Sequence, residues 1–114
     1  MHEIGMMYQL AELAVKCAKE NHANKILSVS VEIGELSGAL PQVFEEYFPY
    51  IAQQYPELAH SELIIHTVPG EALCKKCGSL YNVMRQEGRC PKCHSSDKKI
   101  LGGKDIRLMN IGCL

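Results

Sequence analysis

Six cysteines are the residues of this sequence best suited to chemistry, and four of them form two close pairs. Cys74 and Cys77 form the first pair, Cys90 and Cys93 form the second, and twelve residues separate the pairs. Each C-x-x-C turn can direct two thiolates at one ion, so two turns complete a tetrahedral four-sulfur sphere with bonds of about 2.3 Å. This spacing predicts a metal site rather than a disulfide framework.

The expected metal is a structural zinc ion, because a sphere closed by four thiolates leaves no open position for a substrate. Iron in a rubredoxin-like site is the chemical alternative, since four thiolates suit both metals. Four thiolates and one Zn²⁺ carry a net charge of −2, which nearby cations would offset. The flanking cations are Lys75, Lys76, Arg89 and Lys92. Without interleaved aromatic residues, they do not indicate a nucleic-acid surface.

The remaining histidines and cysteines have mainly structural interpretations. His94 directly follows Cys93, where glycine commonly relaxes such a turn. We interpret it as a surface histidine, with the alternative of a zinc or nickel ligand whose availability changes near its ordinary pKa of about 6.5. The others are interpreted as packing, tail or surface residues: Cys17, Cys113, His22, His60 and His66.

The first three residues, Met1, His2 and Glu3, could form a second metal site. A bulky second residue should leave Met1 and its α-amine in place. That amine, the deprotonated His2 amide and the His2 imidazole can present three nitrogens in one plane, an arrangement that suits Ni(II) and Cu(II). Glu3 could fill the fourth position. On residue types alone, an exposed terminal histidine without a metal is the simpler interpretation.

The elements that must position these residues follow from hydrophobic periodicity. We predict an amphipathic helix over Ile4–Ala18, a half-buried strand over Leu27–Ile33 and a second helix beginning at Pro41, which Pro49 should bend or split. Two further strands are predicted at Leu63–Val68 and Ile106–Ile111.

The predicted fold class is α+β. Two helices pack on a small three-stranded sheet, and a zinc-ribbon-like domain with the four cysteines is inserted before the last strand. We place the helix-containing domain at residues 1–69 and 101–114 and the zinc-binding domain at residues 70–100.

Length, composition and charge exclude several classes of function. The chain has 114 residues, a formal net charge of −1 and 46% hydrophobic residues, so a second large domain is excluded and the composition is that of a globular protein. A near-neutral chain does not indicate nucleic-acid binding, and no apolar run is long enough to span a membrane. We therefore expect a cytoplasmic protein. Without a phosphate-binding loop or a nucleophile–base pair, we do not expect an enzyme.

Three motifs together resemble a known family over essentially the whole chain. They are Met1-His2-Glu3 opening a helix, Ile33-Gly34-Glu35-Leu36-Ser37-Gly38 after a strand, and Cys74-x-x-Cys77 followed by Cys90-x-x-Cys93-His94. This combination closely resembles the HypA/HybF family of hydrogenase nickel-insertion accessory proteins.

The resemblance implies a nickel metallochaperone with Ni(II) on Met1, His2 and Glu3 and zinc on the four paired cysteines. It further implies delivery to the large subunit of a [NiFe]-hydrogenase, together with the nucleotide-hydrolysing accessory protein HypB, by a monomer or weak dimer. The alternative is a zinc-ribbon interaction module without a nickel function. Whether urease is also served, and whether His94 takes part in a metal switch, both stay open.

Overall fold

The computed structural model describes residues 3–114, and Met1 and His2 lie outside this range. The first helix, α1, runs from Glu3 to Glu20 and buries one face. It ends because His22 adopts a left-handed conformation, with φ of 57°. The amides of His22 and Ala23 then reach back to the carbonyls of Lys19 and Ala18, at 3.1 and 2.8 Å. This is the Schellman arrangement that satisfies the last carbonyls of a helix.

Strand β1, Ile26–Gly34, lies at the centre of the first sheet. It pairs in parallel with β2, Glu62–Val68, and antiparallel with β6, Ile106–Cys113. The register places Val31 between Ile65 of β2 and Leu108 of β6. These apolar rows form the face on which the helices pack, and they confirm the predicted three-stranded sheet.

The second helix, α2, runs from Pro41 to Ala52, with Pro41 in its first turn. The sequence predicted that Pro49 would bend or split this helix. Helix α2 continues through Pro49, so it is not split there. The buried side chains of Phe48 and Ile51 hold the helix on the core on either side of this proline. Pro49 itself is exposed, so water can bind the carbonyl that its missing N–H leaves free. A short 3₁₀ helix, Pro56–Leu58, then leads into β2.

A second sheet lies between β2 and β6 in the chain. It consists of β3 (Glu71–Cys74) at the centre, with β4 (Leu80–Asn82) and β5 (Lys98–Gly102) antiparallel on either side. Its buried core is small: Ala72, Cys74, Tyr81 and Cys90. We call residues 70–102 the cysteine lobe, and the first sheet with its two helices the helical lobe.

The two lobes give the described chain an elongated shape, measuring 53 × 25 × 17 Å. The chain enters the cysteine lobe from the end of β2 and returns directly into β6. Because β5 extends to Gly102, the second sheet reaches two residues past the predicted end of the inserted domain. None of the helices in residues 3–114 is long and apolar enough to cross a membrane.

Candidate metal centre

The four paired cysteines converge at one point of the cysteine lobe. The sulfurs of Cys74, Cys77, Cys90 and Cys93 all lie within 4.8 Å of one another. The Cys74–Cys93 and Cys77–Cys90 sulfur pairs are each 3.5 Å apart. A regular tetrahedron with metal–sulfur bonds of about 2.3 Å has sulfurs about 3.8 Å apart, whereas a disulfide requires about 2.05 Å. The donor set therefore fits one tetrahedral metal ion.

The two C-x-x-C turns repeat the same backbone hydrogen bonds. The Gly78 amide donates to the carbonyl of Cys74, and the His94 amide donates to the carbonyl of Cys90, both at 2.9 Å. Residues Gly78 and His94 both adopt left-handed conformations, with φ of 75° and 63°. This geometry turns the chain sharply enough to bring both sulfurs of each pair to the same side.

Two serines complete this repeat. The amide of Cys74 donates to the Ser79 carbonyl at 2.8 Å, and the amide of Cys90 donates to the Ser95 carbonyl at 3.0 Å. In each pair the first cysteine is buried and the second is exposed. Both serines follow their pair at the same offset, a repeat that is visible in the sequence.

The thiols of the cluster differ in acidity. The Ser79 hydroxyl lies 3.2 Å from the Cys77 sulfur. Hydrogen bonds from this hydroxyl and from the Ser79 amide lower the pKa of Cys77 to about 6. At Cys93 a hydrogen bond from the Ser95 amide lowers the pKa, but the neighbouring cysteine sulfurs and desolvation outweigh it and raise the value to about 11. Crowded sulfurs resist full ionisation unless a metal supplies positive charge.

The cations that flank the site are all exposed: Lys75, Lys76, Arg89 and Lys92. Lys75 also lies 4.0 Å from the Asp97 carboxylate, with both side chains more than half exposed. Such a pair contributes little stability on its own. Compensation of the thiolate charge by these cations stays a prediction.

His94 lies next to the cluster but is not a member of it, since the grouped ligand atoms are the four sulfurs. Its side chain is exposed, and its backbone occupies the left-handed turn position. Among the other residues considered from the sequence, Cys17 is half-buried in α1. His22, His60, His66 and Cys113 are exposed.

Of the three residues predicted to bind nickel, the structure describes Glu3. It is the first residue of α1 and is half-exposed. A carboxylate in the first turn interacts favourably with the helix dipole. Met1 and His2 themselves lie outside the described residues.

One functional candidate lies in the motif after β1, where the sequence assigned it no role of its own. Glu35 follows β1, and its carboxylate accepts hydrogen bonds from the Gly70 amide at 2.8 Å and the Asn82 side-chain amide at 3.1 Å. These two bonds, the Gly70 bond foremost, hold the pKa of Glu35 below its ordinary value. The sequence contained no signal for this contact, because Asn82 is 47 residues away.

Comparison with known proteins places the chain in a family. A family model described as "Hydrogenase/urease nickel incorporation, metallochaperone, hypA" matches residues 1–113. The hydrogenase maturation factor HypA of Campylobacter jejuni is 32% identical over 111 residues, covering 97% of each chain. That of Wolinella succinogenes is 34% identical over 112 residues, covering 97% of this chain and 93% of its own.

A solved structure agrees with this result. The solution structure of the Ni metallochaperone HypA from Helicobacter pylori superposes with a TM-score of 0.72 at 31% identity, covering 100% of this chain and 98% of that chain. The α+β fold and the resemblance identified from the motifs are both confirmed. This chain therefore belongs to the HypA family of nickel metallochaperones for hydrogenase maturation, and it is a metallochaperone rather than an enzyme.

Proposed function

We propose that this protein binds Ni(II) through Met1, His2 and Glu3 and delivers it to the large subunit of a [NiFe]-hydrogenase. The α-amine of Met1, the His2 amide nitrogen and the His2 imidazole supply a planar nitrogen set, which d⁸ Ni(II) favours. A HypB-type nucleotide-hydrolysing protein is the expected partner in delivery, in the cytoplasm.

One observation supports the proposal most directly. The chain belongs to a nickel-inserting family, yet its cysteine cluster has no open coordination position for nickel in transit. Four sulfurs within 4.8 Å of one another occupy every position of a tetrahedral ion. An ion held in this way is suited to a structural role, so we assign resident zinc to Cys74, Cys77, Cys90 and Cys93. Nickel in transit needs a second site, and the donor atoms of the first three residues can supply one.

The alternative function, an interaction module with zinc alone, predicts a different metal content. The nickel chaperone should bind one zinc and one nickel per chain, whereas the interaction module should bind one zinc only. Metal analysis after nickel titration and gel filtration distinguishes them. His2→Ala should lose the nickel and keep the zinc.

Extending the N-terminus by one residue should weaken nickel binding strongly and leave the fold intact. The extension converts the α-amine of Met1 into an amide, which removes one of the three planar nitrogens. Calorimetric nickel titration of the native and extended chains measures the change, and the amide spectrum of residues 3–114 reports the fold. Equal nickel affinity in the two chains would exclude the amine as a ligand.

Acid should release nickel before zinc from the same protein. An α-amine with a pKa of about 7.7–8.0 and an imidazole with a pKa near 6.5 must both lose protons to bind nickel. Nickel occupancy should therefore fall as the pH drops from about 8 to 6, while zinc is retained.

A further inference from the structure

The two lobes meet where β1 and β2 end and β6 begins. The segment after β1 lies between the two chain tethers and hydrogen-bonds to both. The Glu35 amide donates to the Val68 carbonyl at 2.9 Å, and the Leu36 amide donates to the Gly103 carbonyl at 2.7 Å. These bonds hold the tethers against the helical lobe, but they do not by themselves hold the second sheet.

The Glu35 side chain supplies that further connection. A single carboxylate oxygen accepts from the Gly70 amide, just before β3, and from the side-chain amide of Asn82, the last residue of β4. The Asn82 amide group is itself oriented, because its oxygen accepts from the Arg85 amide at 2.9 Å. Glu35 thus links the helical lobe both to the residue just before β3 and to the last residue of β4.

The backbones at this junction are in direct contact. A Cβ atom added at Gly34 would lie 2.2 Å from the Gly103 carbonyl oxygen, and one added at Gly70 would lie 2.5 Å from the Leu36 side chain. Gly103 is buried and has a φ of 85°. This close approach brings the Gly70 amide within reach of the Glu35 side chain.

The first turns of α1 lie at the same end of the helical lobe. Met6 lines a groove of about 330 Å³ together with Ile106 and Leu108, the first residues of β6. The residue just before β6, Asp105, accepts a hydrogen bond from the Gly34 amide at 2.9 Å. The groove therefore places Met6, in the first turns of α1, beside the start of β6.

We propose that Glu35 is a positioning residue that fixes the orientation of the cysteine lobe relative to the lobe carrying the nickel-binding residues. Its loss leaves each lobe folded and each metal site intact, but frees the cysteine lobe to rotate about its two tethers. A partner that contacts both lobes then meets the N-terminus in the correct position only while the Glu35 bonds hold. The second half of this proposal rests on the proposed nickel function.

Residual dipolar couplings of the full-length, zinc-loaded protein test the first half. Wild-type amides of both lobes should fit one alignment tensor, and Glu35→Ala should lose that single fit. Glu46→Ala, at an exposed glutamate of α2, is the matched control and should keep it. A single tensor in Glu35→Ala, equal to that of the wild type, would overturn the proposal.

A second variant breaks the same contact from its other side, in case Glu35→Ala impairs folding. Asn82→Asp retains the oxygen that accepts from the Arg85 amide, but replaces the donor to Glu35 with a second carboxylate. Separate tensors for the two lobes, with wild-type chemical shifts inside each lobe, support the positioning role. Couplings that still fit one tensor contradict it.

Nickel measurements then distinguish this proposal from the proposed function. Glu35→Ala should bind nickel with unchanged affinity and lose transfer to the hydrogenase large-subunit precursor. If the wild type binds no nickel, the proposed function fails, while the couplings still decide the positioning role. If Glu35→Ala transfers nickel as fast as the wild type although its lobes have separated, the coupling of orientation to delivery is wrong.

Discussion

At the scale of single residues, the second C-x-x-C turn carries a strain that the first does not. Gly78 and His94 occupy equivalent left-handed positions, with φ of 75° and 63°. Glycine adopts this conformation without steric cost, whereas a residue with a Cβ pays about 1–2 kcal/mol. The imidazole of His94 lies outside the cysteine cluster, so its backbone conformation is its clearest structural effect.

His94→Gly should therefore stabilise the cysteine lobe by about 1 kcal/mol, the relief of strain being partly offset by the greater entropy of an unfolded glycine. His94→Ala removes the imidazole but keeps the strain, and it should give no such gain. Local stability is measured by hydrogen exchange of the Cys90 amide in zinc-loaded protein. A larger gain for alanine than for glycine would assign the effect to the side chain.

At the scale of elements, the three short strands of the cysteine lobe depend on the metal. Their buried core contains Ala72 and Tyr81, and its other two members are themselves ligands, Cys74 and Cys90. So little apolar burial does not offset the entropy of ordering more than thirty residues. The first sheet differs, because two helices cover its apolar face.

Zinc removal by a chelator should unfold β3, β4 and β5 and leave the helical lobe folded. Structural zinc contributes on the order of 10 kcal/mol to folding in small metal-held units. Cys93→Ser should have the same effect, whereas Cys17→Ser, in α1, should keep its zinc. Hydrogen exchange resolved by residue is the measurement. Native protection of the Tyr81 amide in metal-free protein would contradict this dependence.

At the scale of the whole molecule, the junction between the lobes makes the stability of the native state depend on pH. Hydrogen bonds from Gly70 and Asn82 hold the pKa of Glu35 below its ordinary 4.5. A carboxylate with a depressed folded-state pKa stabilises the native state fully above its unfolded value, and this contribution is lost as the pH falls through the folded value.

The difference in unfolding free energy between wild type and Glu35→Gln should therefore be constant near neutral pH and shrink below about pH 4.5. Denaturant titrations of both proteins at matched zinc content measure it. Because the thiolates are protonated alike in the two proteins, subtraction isolates Glu35. A difference that stays unchanged down to the lowest pH at which both proteins keep their zinc would show that the Glu35 charge plays no part.

The sequence by itself determined the elements whose patterns are local. Helical periodicity in α1 and the C-x-x-C spacing each depend on side chains a few residues apart, and the structure contains both. Strand β1 is also present, but burial along it does not alternate strictly, since Ser30 is buried and Leu27 is 44% exposed. The assignment of nickel to Met1, His2 and Glu3 and the proposed domain boundaries stay predictions.

Only the tertiary structure decided the second sheet and the junction. Strands β3 and β4 have four and three residues, too short for a periodic signal, and they form because pairing and the converging cysteines hold them together. The sequence placed Glu35 in a motif after β1 but gave it no partner. Its role appears only when folding brings Gly70 and Asn82 to it, because hydrogen bonds between distant segments depend on the path of the whole chain.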